Sequence, residues 1–401
     1  MSVNSAVSRP TRRSFLQLSA VAATVAAGFR IVSEPMLAAA ERKAFPKDAV
    51  VINANENPLG PAEAARSAAA AVVSEGGRYS TWLTEELVTT FAAMEGLKPE
   101  YIRAFPGSSE PLHYAVLAYT SPTKSYVTAD PGYEAGMYAS KISGARVVKV
   151  PLTKTYAHDV KAMLAAAPDA GLYYICTPNN PTGTLTSHSD IEFALANKPK
   201  DSVLVVDEAY IHFSDAASTL DLVKADKDVI VLRTFSKIYG MAGLRCGFAI
   251  GRPDLLAKIE TFSGWNALPI TAVAAATASL KDPQLIAERK KTNAAIREQT
   301  FEWLRSQGYS FTPSQSNCFM LDTKHPTKNV IAGMASQNVF IGRAWPVWPT
   351  YVRITVGTQP EMEKFQAAFA NAMKGSAAAY RPAPLIQSSH FDGLNLERIL
   401  S

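Results

Sequence analysis

Residues 234–247 read Thr234-Phe235-Ser236-Lys237-Ile238-Tyr239-Gly240-Met241-Ala242-Gly243-Leu244-Arg245-Cys246-Gly247. A single lysine, Lys237, stands among small residues, and Arg245 follows it eight positions later. A partly desolvated lysine amine can bond covalently to an aldehyde, and hydroxyl groups together with an arginine can bind a phosphate. Taken alone, a Ser-Lys dipeptide is far more often a surface lysine beside a Gly-rich turn, so the case for a cofactor site depends on the residues upstream.

Apolar, β-branched runs surround this stretch and predict buried parallel strands at residues 172–176, 203–207 and 229–233. The first run leads into the Asn- and Pro-rich turn at 177–183, the second ends at Asp207, and the third leads to Lys237. Because ligands bind at the carboxyl ends of parallel strands, Asn180, Asp207 with Tyr210, and Lys237 are expected in one crevice. The pattern indicates an α/β fold.

Eight motifs follow one another in order over residues 50–373. They are 53–58 (Asn-Ala-Asn-Glu-Asn-Pro), 78–80 (Arg-Tyr-Ser), 106–110 (Pro-Gly-Ser-Ser-Glu), 130–134 (Asp-Pro-Gly-Tyr-Glu), 179–183 (Asn-Asn-Pro-Thr-Gly), 207–210 (Asp-Glu-Ala-Tyr), 234–247 and 351–357 (Tyr-Val-Arg-Ile-Thr-Val-Gly). Together they resemble the fold-type I pyridoxal 5'-phosphate (PLP) aminotransferases of class I/II, and most closely the histidinol-phosphate aminotransferase branch. The resemblance implies a PLP-dependent aminotransferase with a large, mostly parallel-sheet domain and a small α+β C-terminal domain.

The resemblance also assigns catalytic and ring-binding roles. Lys237 would hold PLP covalently and then carry the proton between the substrate and the cofactor. Asp207 would pair with the pyridine nitrogen and keep it protonated. Asn180 and Tyr210 would hydrogen-bond the phenolate oxygen, and Tyr133 would stack on the ring.

A phosphate site is implied for a second group of residues: Ser108, Ser109, Thr234, Ser236 and Arg245. Ser108 and Ser109 precede an apolar helical run, so their backbone amides would open a helix N-terminus, which favours anions. In the family pattern, Tyr79 reaches the phosphate bound by the neighbouring subunit. The resemblance therefore implies a homodimer with shared active sites.

For the substrate, the resemblance implies that Arg353 binds the α-carboxylate through a bidentate pair, with Asn57 of the first motif nearby. Arg343 matches an arginine that meets a distal anionic group in the histidinol-phosphate branch. The short aromatic segment 344–349 and the loop 132–138 depart from that branch. A distal phosphate site is therefore left open.

The first 40 residues are predicted to be a targeting segment. Residues 11–17 (Thr-Arg-Arg-Ser-Phe-Leu-Gln) resemble a twin-arginine (Tat) export signal, an Ala-rich apolar run follows at 18–29, and small residues stand at 38–40. The Tat translocon is the partner expected during export, and the periplasm is the expected location. A membrane tether facing the periplasm is the alternative, although the apolar run is short for a spanning helix.

Charge and cysteine content exclude other classes of protein. The formal net charge is +5, of which +3 lies in residues 1–40, so no basic surface for nucleic acid is expected. Cys176, Cys246 and Cys318 have no metal-ligand spacing, and no metal site is expected. Their strand-like, apolar surroundings predict buried core residues.

The predicted domain boundaries are 1–40 for the signal, 41–77 for an arm and helix, 78–285 for the PLP-binding domain, 286–374 for the C-terminal domain and 375–401 for a tail. Predicted helices lie at 62–73, 284–306 and 361–373, and predicted C-terminal strands at 318–322, 339–343 and 351–356.

Three functions remain open at this stage. The favoured one is an exported aminotransferase that uses an amino-acid donor and a 2-oxo acid acceptor. The second is a different PLP reaction on the same scaffold, either decarboxylation or carbon–sulfur lysis. The third is a catalytically silent ligand-binding protein, which the presence of both Lys237 and Asp207 disfavours. Within the first, histidinol phosphate is the substrate that the family resemblance suggests.

Overall fold

The computed structural model describes residues 45–264 and 267–375. The predicted export signal at 1–40 and nearly all of the predicted tail at 375–401 lie outside the described residues. Within them, no helix is long and apolar enough to cross a membrane.

The strands alternate with helices along much of the chain. They are β1 (Val50–Ile52), β2 (Ile102–Phe105), β3 (Ser125–Asp130), β4 (Val147–Pro151), β5 (Ala170–Cys176), β6 (Val203–Asp207), β7 (Val229–Thr234), β8 (Gly247–Gly251), β9 (Ser310–Phe311), β10 (Cys318–Asp322), β11 (Val339–Ile341), β12 (Ala344–Trp345) and β13 (Trp348–Thr355).

The α-helices, in chain order, are α1 (Glu63–Ala71), α2 (Thr81–Glu95), α3 (Ser109–Tyr119), α4 (Ala135–Ser143), α5 (Val160–Ala166), α6 (His188–Asn197), α7 (Leu220–Lys224), α8 (Pro253–Glu260), α9 (Ile270–Leu280), α10 (Leu285–Ser306), α11 (Thr327–Ala335) and α12 (Gln359–Gly375). The helices predicted at 62–73, 284–306 and 361–373 are thus confirmed, with small differences at their ends.

A seven-stranded sheet in the order β2-β8-β7-β6-β5-β3-β4 forms the centre of the fold. Its strands β3 to β7 run parallel to one another, and β8 is antiparallel to both of its neighbours. Strands β5, β6 and β7 are buried along their whole length, as their β-branched sequences predict. The predicted mostly parallel α/β sheet is therefore confirmed.

The C-terminal part builds a second hydrophobic cluster around a four-stranded sheet in the order β12-β13-β10-β9. Strand β1 pairs in parallel with β11, and Val50 and Ile52 pack in this cluster. The predicted N-terminal arm is thus joined to the C-terminal sheet region. The domain boundaries given above stay predictions.

Two details of the C-terminal strands differ from expectation. Strand β11 ends at Ile341, so Arg343 lies between β11 and β12 and not in a strand. The aromatic segment 344–349 belongs to an antiparallel hairpin of β12 and β13, in which Trp345 pairs with Trp348. Pro346 and Val347 form the turn between the two strands, where a proline is tolerated, and Pro349 lies in β13.

Candidate active site

The carboxyl ends of β5, β6 and β7 open onto one cavity of about 600 Å³, including its mouth. Ten of the predicted site residues line it: Ser108, Ser109, Tyr133, Asn180, Asp207, Tyr210, Thr234, Ser236, Lys237 and Arg245. Parallel strands bring their carboxyl ends to the same edge of a sheet, which explains why residues so far apart in sequence meet here.

Lys237 follows β7 and is only 8% exposed. Its Nζ atom donates to the carbonyl oxygens of Asn55, at 3.0 Å, and Ala54, at 3.5 Å. The same nitrogen lies 5.4 Å from the centre of the Tyr210 ring. Residues just after β1 therefore hold the amine in place at the cavity wall, within reach of an electrophile in the cavity.

At one end of the cavity, hydroxyl groups and a helix N-terminus form an anion site. Helix α3 begins at Ser109, and Ser108 is its N-cap residue, as predicted. The hydroxyl of Thr234 donates to Ser236 Oγ at 3.0 Å, and Arg245 Nη1 donates to the same Ser236 oxygen at 3.1 Å. Unpaired helix amides, hydroxyls and a guanidinium are the groups that bind a phosphate dianion.

Gly107 leaves the space that the Arg245 side chain occupies in this anion site. Its φ angle is +89°, and a Cβ atom built on it would lie 2.3 Å from Arg245 Nη2. That nitrogen donates to the carbonyl oxygen of Pro106 at 3.1 Å. A residue without a side chain therefore lets the guanidinium lie directly against the backbone that leads into α3.

Asp207 ends β6 and is 3% exposed. Its Oδ2 accepts a hydrogen bond from the Tyr174 hydroxyl at 2.8 Å, and its Oδ1 accepts one from the Ala209 N–H at 3.0 Å. Burial raises the pKa of Asp207 to about 6, while these two bonds and the charge of Lys237 oppose the rise. The carboxyl group is therefore oriented by two donors, and burial makes it a weaker acid than an exposed aspartate.

Asn180 and Arg353 meet at the side of the cavity. Arg353 is fully buried; its Nη1 donates to Asn180 Oδ1 at 2.9 Å, and its Nη2 donates to the carbonyl oxygen of Asn53 at 2.6 Å. Arg353 lies inside β13, opposite Met320 of β10, within the strand predicted at 351–356. The strand fixes its backbone, so the guanidinium is positioned before any carboxylate binds.

The remaining predicted residues lie outside the lining of this cavity. Arg343 forms a bidentate ion pair with Glu134. The Asn57 Nδ2 atom donates to the carbonyl oxygen of Ile238 at 3.1 Å, and the residue lines two adjoining cavities. Tyr79 is 82% exposed. Their substrate and partner-subunit roles stay predictions.

The family model for aminotransferase class I and II matches residues 47–369. The chain belongs to the class I and II aminotransferases. Among relatives of this aminotransferase, the histidinol-phosphate aminotransferase of Moorella thermoacetica is 31% identical over 332 residues, which cover 81% of this chain and 86% of that protein. The aromatic amino acid aminotransferase of Cutibacterium acnes is 34% identical over 333 residues, covering 82% and 94%.

The solved structures agree with this assignment. The histidinol-phosphate aminotransferase from Sinorhizobium meliloti, determined in complex with pyridoxal-5'-phosphate, is 25% identical, with a TM-score of 0.75. The comparison covers 82% of this aminotransferase and 92% of that chain. The aspartate aminotransferase of Thermus thermophilus shares the fold at 19% identity and a TM-score of 0.71.

The enzyme is a PLP-dependent transaminase, and the residues of the cavity fit that cofactor. The anion site around Arg245 suits its phosphate, and the buried carboxylate of Asp207 suits a protonated ring nitrogen. When bound, PLP supplies an aldehyde for the amino group and a ring that withdraws electrons. The amine of Lys237 lies at the cavity wall and would carry the proton of the substrate α-carbon.

The structure adds residues that the sequence did not single out. Asn55 is fully buried; its Nδ2 donates to the Tyr210 hydroxyl at 3.1 Å and its Oδ1 accepts from the Thr355 hydroxyl at 3.1 Å. Cys176 of β5 pairs with Asp207 of β6, and Tyr174, two positions earlier, lies on the same face of β5. Period-two alternation back from Cys176 places Tyr174 on the same face of β5, but it does not indicate the bond to Asp207. The three cysteines are buried, as expected, and are not joined in a disulfide.

Proposed function

We propose that this aminotransferase works in the periplasm as a homodimer and moves an amino group between an amino acid, or an amino-acid moiety of an exported metabolite, and a 2-oxo acid. The observation that carries the reaction type is the meeting of Lys237, Asp207 and Arg245 in one cavity. In this proposal Arg353, buried and fixed by β13, binds the α-carboxylate of both substrates.

The proposed location rests on the sequence of the first 40 residues. Arg12 and Arg13 stand in a twin-arginine pattern, followed by an apolar run and small residues. A route that carries folded proteins suits an enzyme that takes up its cofactor before export. A phosphorylated substrate crosses membranes poorly, so the proposed location favours a free amino acid over histidinol phosphate.

Two alternatives share the same cavity. Histidinol phosphate is the substrate suggested by the names of several relatives. A decarboxylase or carbon–sulfur lyase would use the same lysine and aspartate, because one fold supports several PLP reactions.

A half-reaction assay with a panel of amino acids tests the reaction and its substrate. The purified enzyme is mixed with each amino acid without a 2-oxo acid, and its visible absorbance is followed. We expect a stoichiometric loss of the cofactor's visible band together with release of the matching 2-oxo acid. Release of carbon dioxide or sulfide in its place would support the alternatives. A preference for histidinol phosphate of about a hundredfold over every common amino acid would overturn the substrate proposal.

Cell fractionation tests the location. Activity is expected in the periplasmic fraction for the natural chain and in the cytoplasm after Arg12→Lys combined with Arg13→Lys. Cytoplasmic activity in both cases would contradict export by this route, and activity in the membrane fraction would support the tether.

Subunit mixing tests the shared site of the homodimer. Tyr79→Ala and Lys237→Ala variants are each expected to be weakly active or inactive alone. In a mixed dimer, one site would combine an intact Lys237 with an intact Tyr79 from the other chain. Recovery of activity on mixing is therefore expected, and no recovery despite mixed dimers would contradict the role of Tyr79.

A further inference from the structure

Arg343, the residue expected to meet a distal anion, is engaged by a carboxylate of the same chain. Its Nη1 and Nη2 atoms lie 2.5 and 2.8 Å from the two oxygens of Glu134. Both side chains are mostly buried, at 17% and 21% exposure. A bidentate pair of this kind is charge-assisted and directional, and its two charges cancel.

This ion pair lies beside the arginine proposed to bind the substrate α-carboxylate. The backbone N–H of Gly342 donates to the carbonyl oxygen of Arg353 at 2.9 Å. The backbone N–H of Arg353 donates to the carbonyl oxygen of Arg343 at 3.3 Å. The guanidinium carbons of Arg343 and Arg353 lie 4.2 and 5.5 Å from the centre of the same Trp345 ring. Their separation cannot exceed the sum of these distances, so the Arg343–Glu134 pair lies close to the position proposed for the substrate α-carboxylate.

Glu134 is held in position by the loop that forms the cavity wall. It directly follows Tyr133, which lines the cavity, and directly precedes α4. The indole Nε1 of Trp345 donates to the carbonyl oxygen of Gly132 at 3.0 Å, which ties this loop to β12. The position of the carboxylate at a helix N-terminus is also electrostatically favourable.

We propose that Glu134 is a specificity-determining residue: by engaging Arg343, it directs the site toward amino acids and 2-oxo acids whose side chains carry no negative charge. A second carboxylate or a phosphate would have to break both bonds of the pair and then lie beside the displaced Glu134 carboxylate. A neutral side chain leaves the pair intact. This proposal deepens the proposed function and rests on it for the α-carboxylate at Arg353.

Binding of substrate-like acids without an amino group tests the proposal independently of turnover. The holoenzyme is titrated calorimetrically with glutarate, which has two carboxylates, and with 3-phenylpropionate, which has one. We expect the natural enzyme to bind 3-phenylpropionate more tightly. In Glu134→Gln, which keeps the shape but removes the charge, the affinity ratio should move toward glutarate by at least about tenfold.

Two further variants isolate the pair. Combining Glu134→Gln with Arg343→Gln should remove the gain for glutarate, because the released guanidinium is then absent. Glu260→Gln is the matched control, since Glu260 forms a half-buried ion pair with Arg103 at 2.8 Å and does not line the cavity. It should leave the affinity ratio unchanged. Should Glu134→Gln alone fail to retain PLP, the double variant gives the answer by comparison with the natural enzyme: it should change the affinity for glutarate by less than about twofold if Glu134 already neutralises the guanidinium of Arg343.

The ratio of kcat/KM for glutamate to kcat/KM for phenylalanine should change among these variants in the same direction as the ratio of affinities for glutarate and 3-phenylpropionate. Tighter binding of glutarate by the natural enzyme, or a ratio that Glu134→Gln changes by less than about twofold, would overturn the proposal. If the binding ratio shifts as expected but no amino acid is transaminated, the proposed function fails and the role of Glu134 stands. If the enzyme transaminates amino acids but Glu134→Gln leaves the binding ratio unchanged, the proposed function stands and the role of Glu134 fails.

Discussion

Replacing Asp207 by Asn should stabilise the cofactor-free protein at neutral pH while impairing catalysis. Burial raises the pKa of Asp207 from 3.8 to about 6. Each pKa unit corresponds to about 1.4 kcal/mol, so keeping this carboxylate ionised in the folded protein costs about 3 kcal/mol. The side chain is only 3% exposed, so solvent screening reduces this cost little. Asn retains an oxygen for the Ala209 N–H and an amide that can donate to the Tyr174 oxygen.

The sign of the pH dependence follows from the raised pKa. Below about pH 3 the carboxyl is protonated in both the folded and the unfolded chain, and it imposes no electrostatic cost. As pH rises from about 4 through 6, the unfolded chain ionises first, and stability is lost. Above about pH 6 the loss is complete. The advantage of Asp207→Asn over the natural chain should therefore grow by about 2 kcal/mol between about pH 4 and pH 8, because the unfolded chain is already partly ionised at pH 4.

Urea unfolding of the cofactor-free proteins at both pH values measures this change. The natural chain and the variant should have midpoints that separate as pH rises, while turnover of the loaded variant falls by at least about tenfold. A stability difference that is the same at both pH values would refute the claim that burial raises the pKa of Asp207.

Three further substitutions have definite expected outcomes. Lys237→Ala should lower turnover by at least about a thousandfold while PLP stays bound non-covalently, which absorbance and equilibrium dialysis measure. Gly107→Ala should destabilise the protein by about 1–3 kcal/mol and loosen PLP, because the new Cβ displaces Arg245; unchanged PLP affinity would contradict this. Glu208→Gln should lower the free energy of unfolding, measured in urea, by about 3–5 kcal/mol. In the natural chain the Nε of buried Arg233 lies 2.8 Å from Glu208 Oε2, and the substitution removes that negative charge.

The sheet and the cofactor end of the site were predictable because their signals are local. The β-branched runs before Asp207 and Lys237 indicate buried strands, and their polar residues follow immediately. The helix that begins at Ser109 was likewise visible as an apolar run after two serines. In each case the functional residue and the element that positions it are neighbours in sequence.

Contacts between distant segments could not be predicted in this way. Asn55 meets Thr355 across 300 residues of chain, and no periodic pattern in either segment indicates the pairing. Tyr174 reads as an ordinary buried strand residue, and its bond to Asp207 depends on the register of β5 against β6. The sequence shows which residues lie on a strand, but the register is fixed by packing of the whole sheet.

The substrate end of the site depends almost entirely on contacts of the second kind. Glu134 and Arg343 lie 209 residues apart, and Arg353 reaches Asn180 across 173. A motif that contains Arg343 therefore cannot reveal whether the arginine faces a substrate or a carboxylate of its own chain. Relatives with different named substrates can share the cofactor motifs because those motifs are local. A single carboxylate, that of Glu134 before α4, changes the charge that a substrate meets. In this aminotransferase, the pairing of Glu134 with Arg343 indicates which substrate side chains the site accepts, and the presence of Arg343 alone does not.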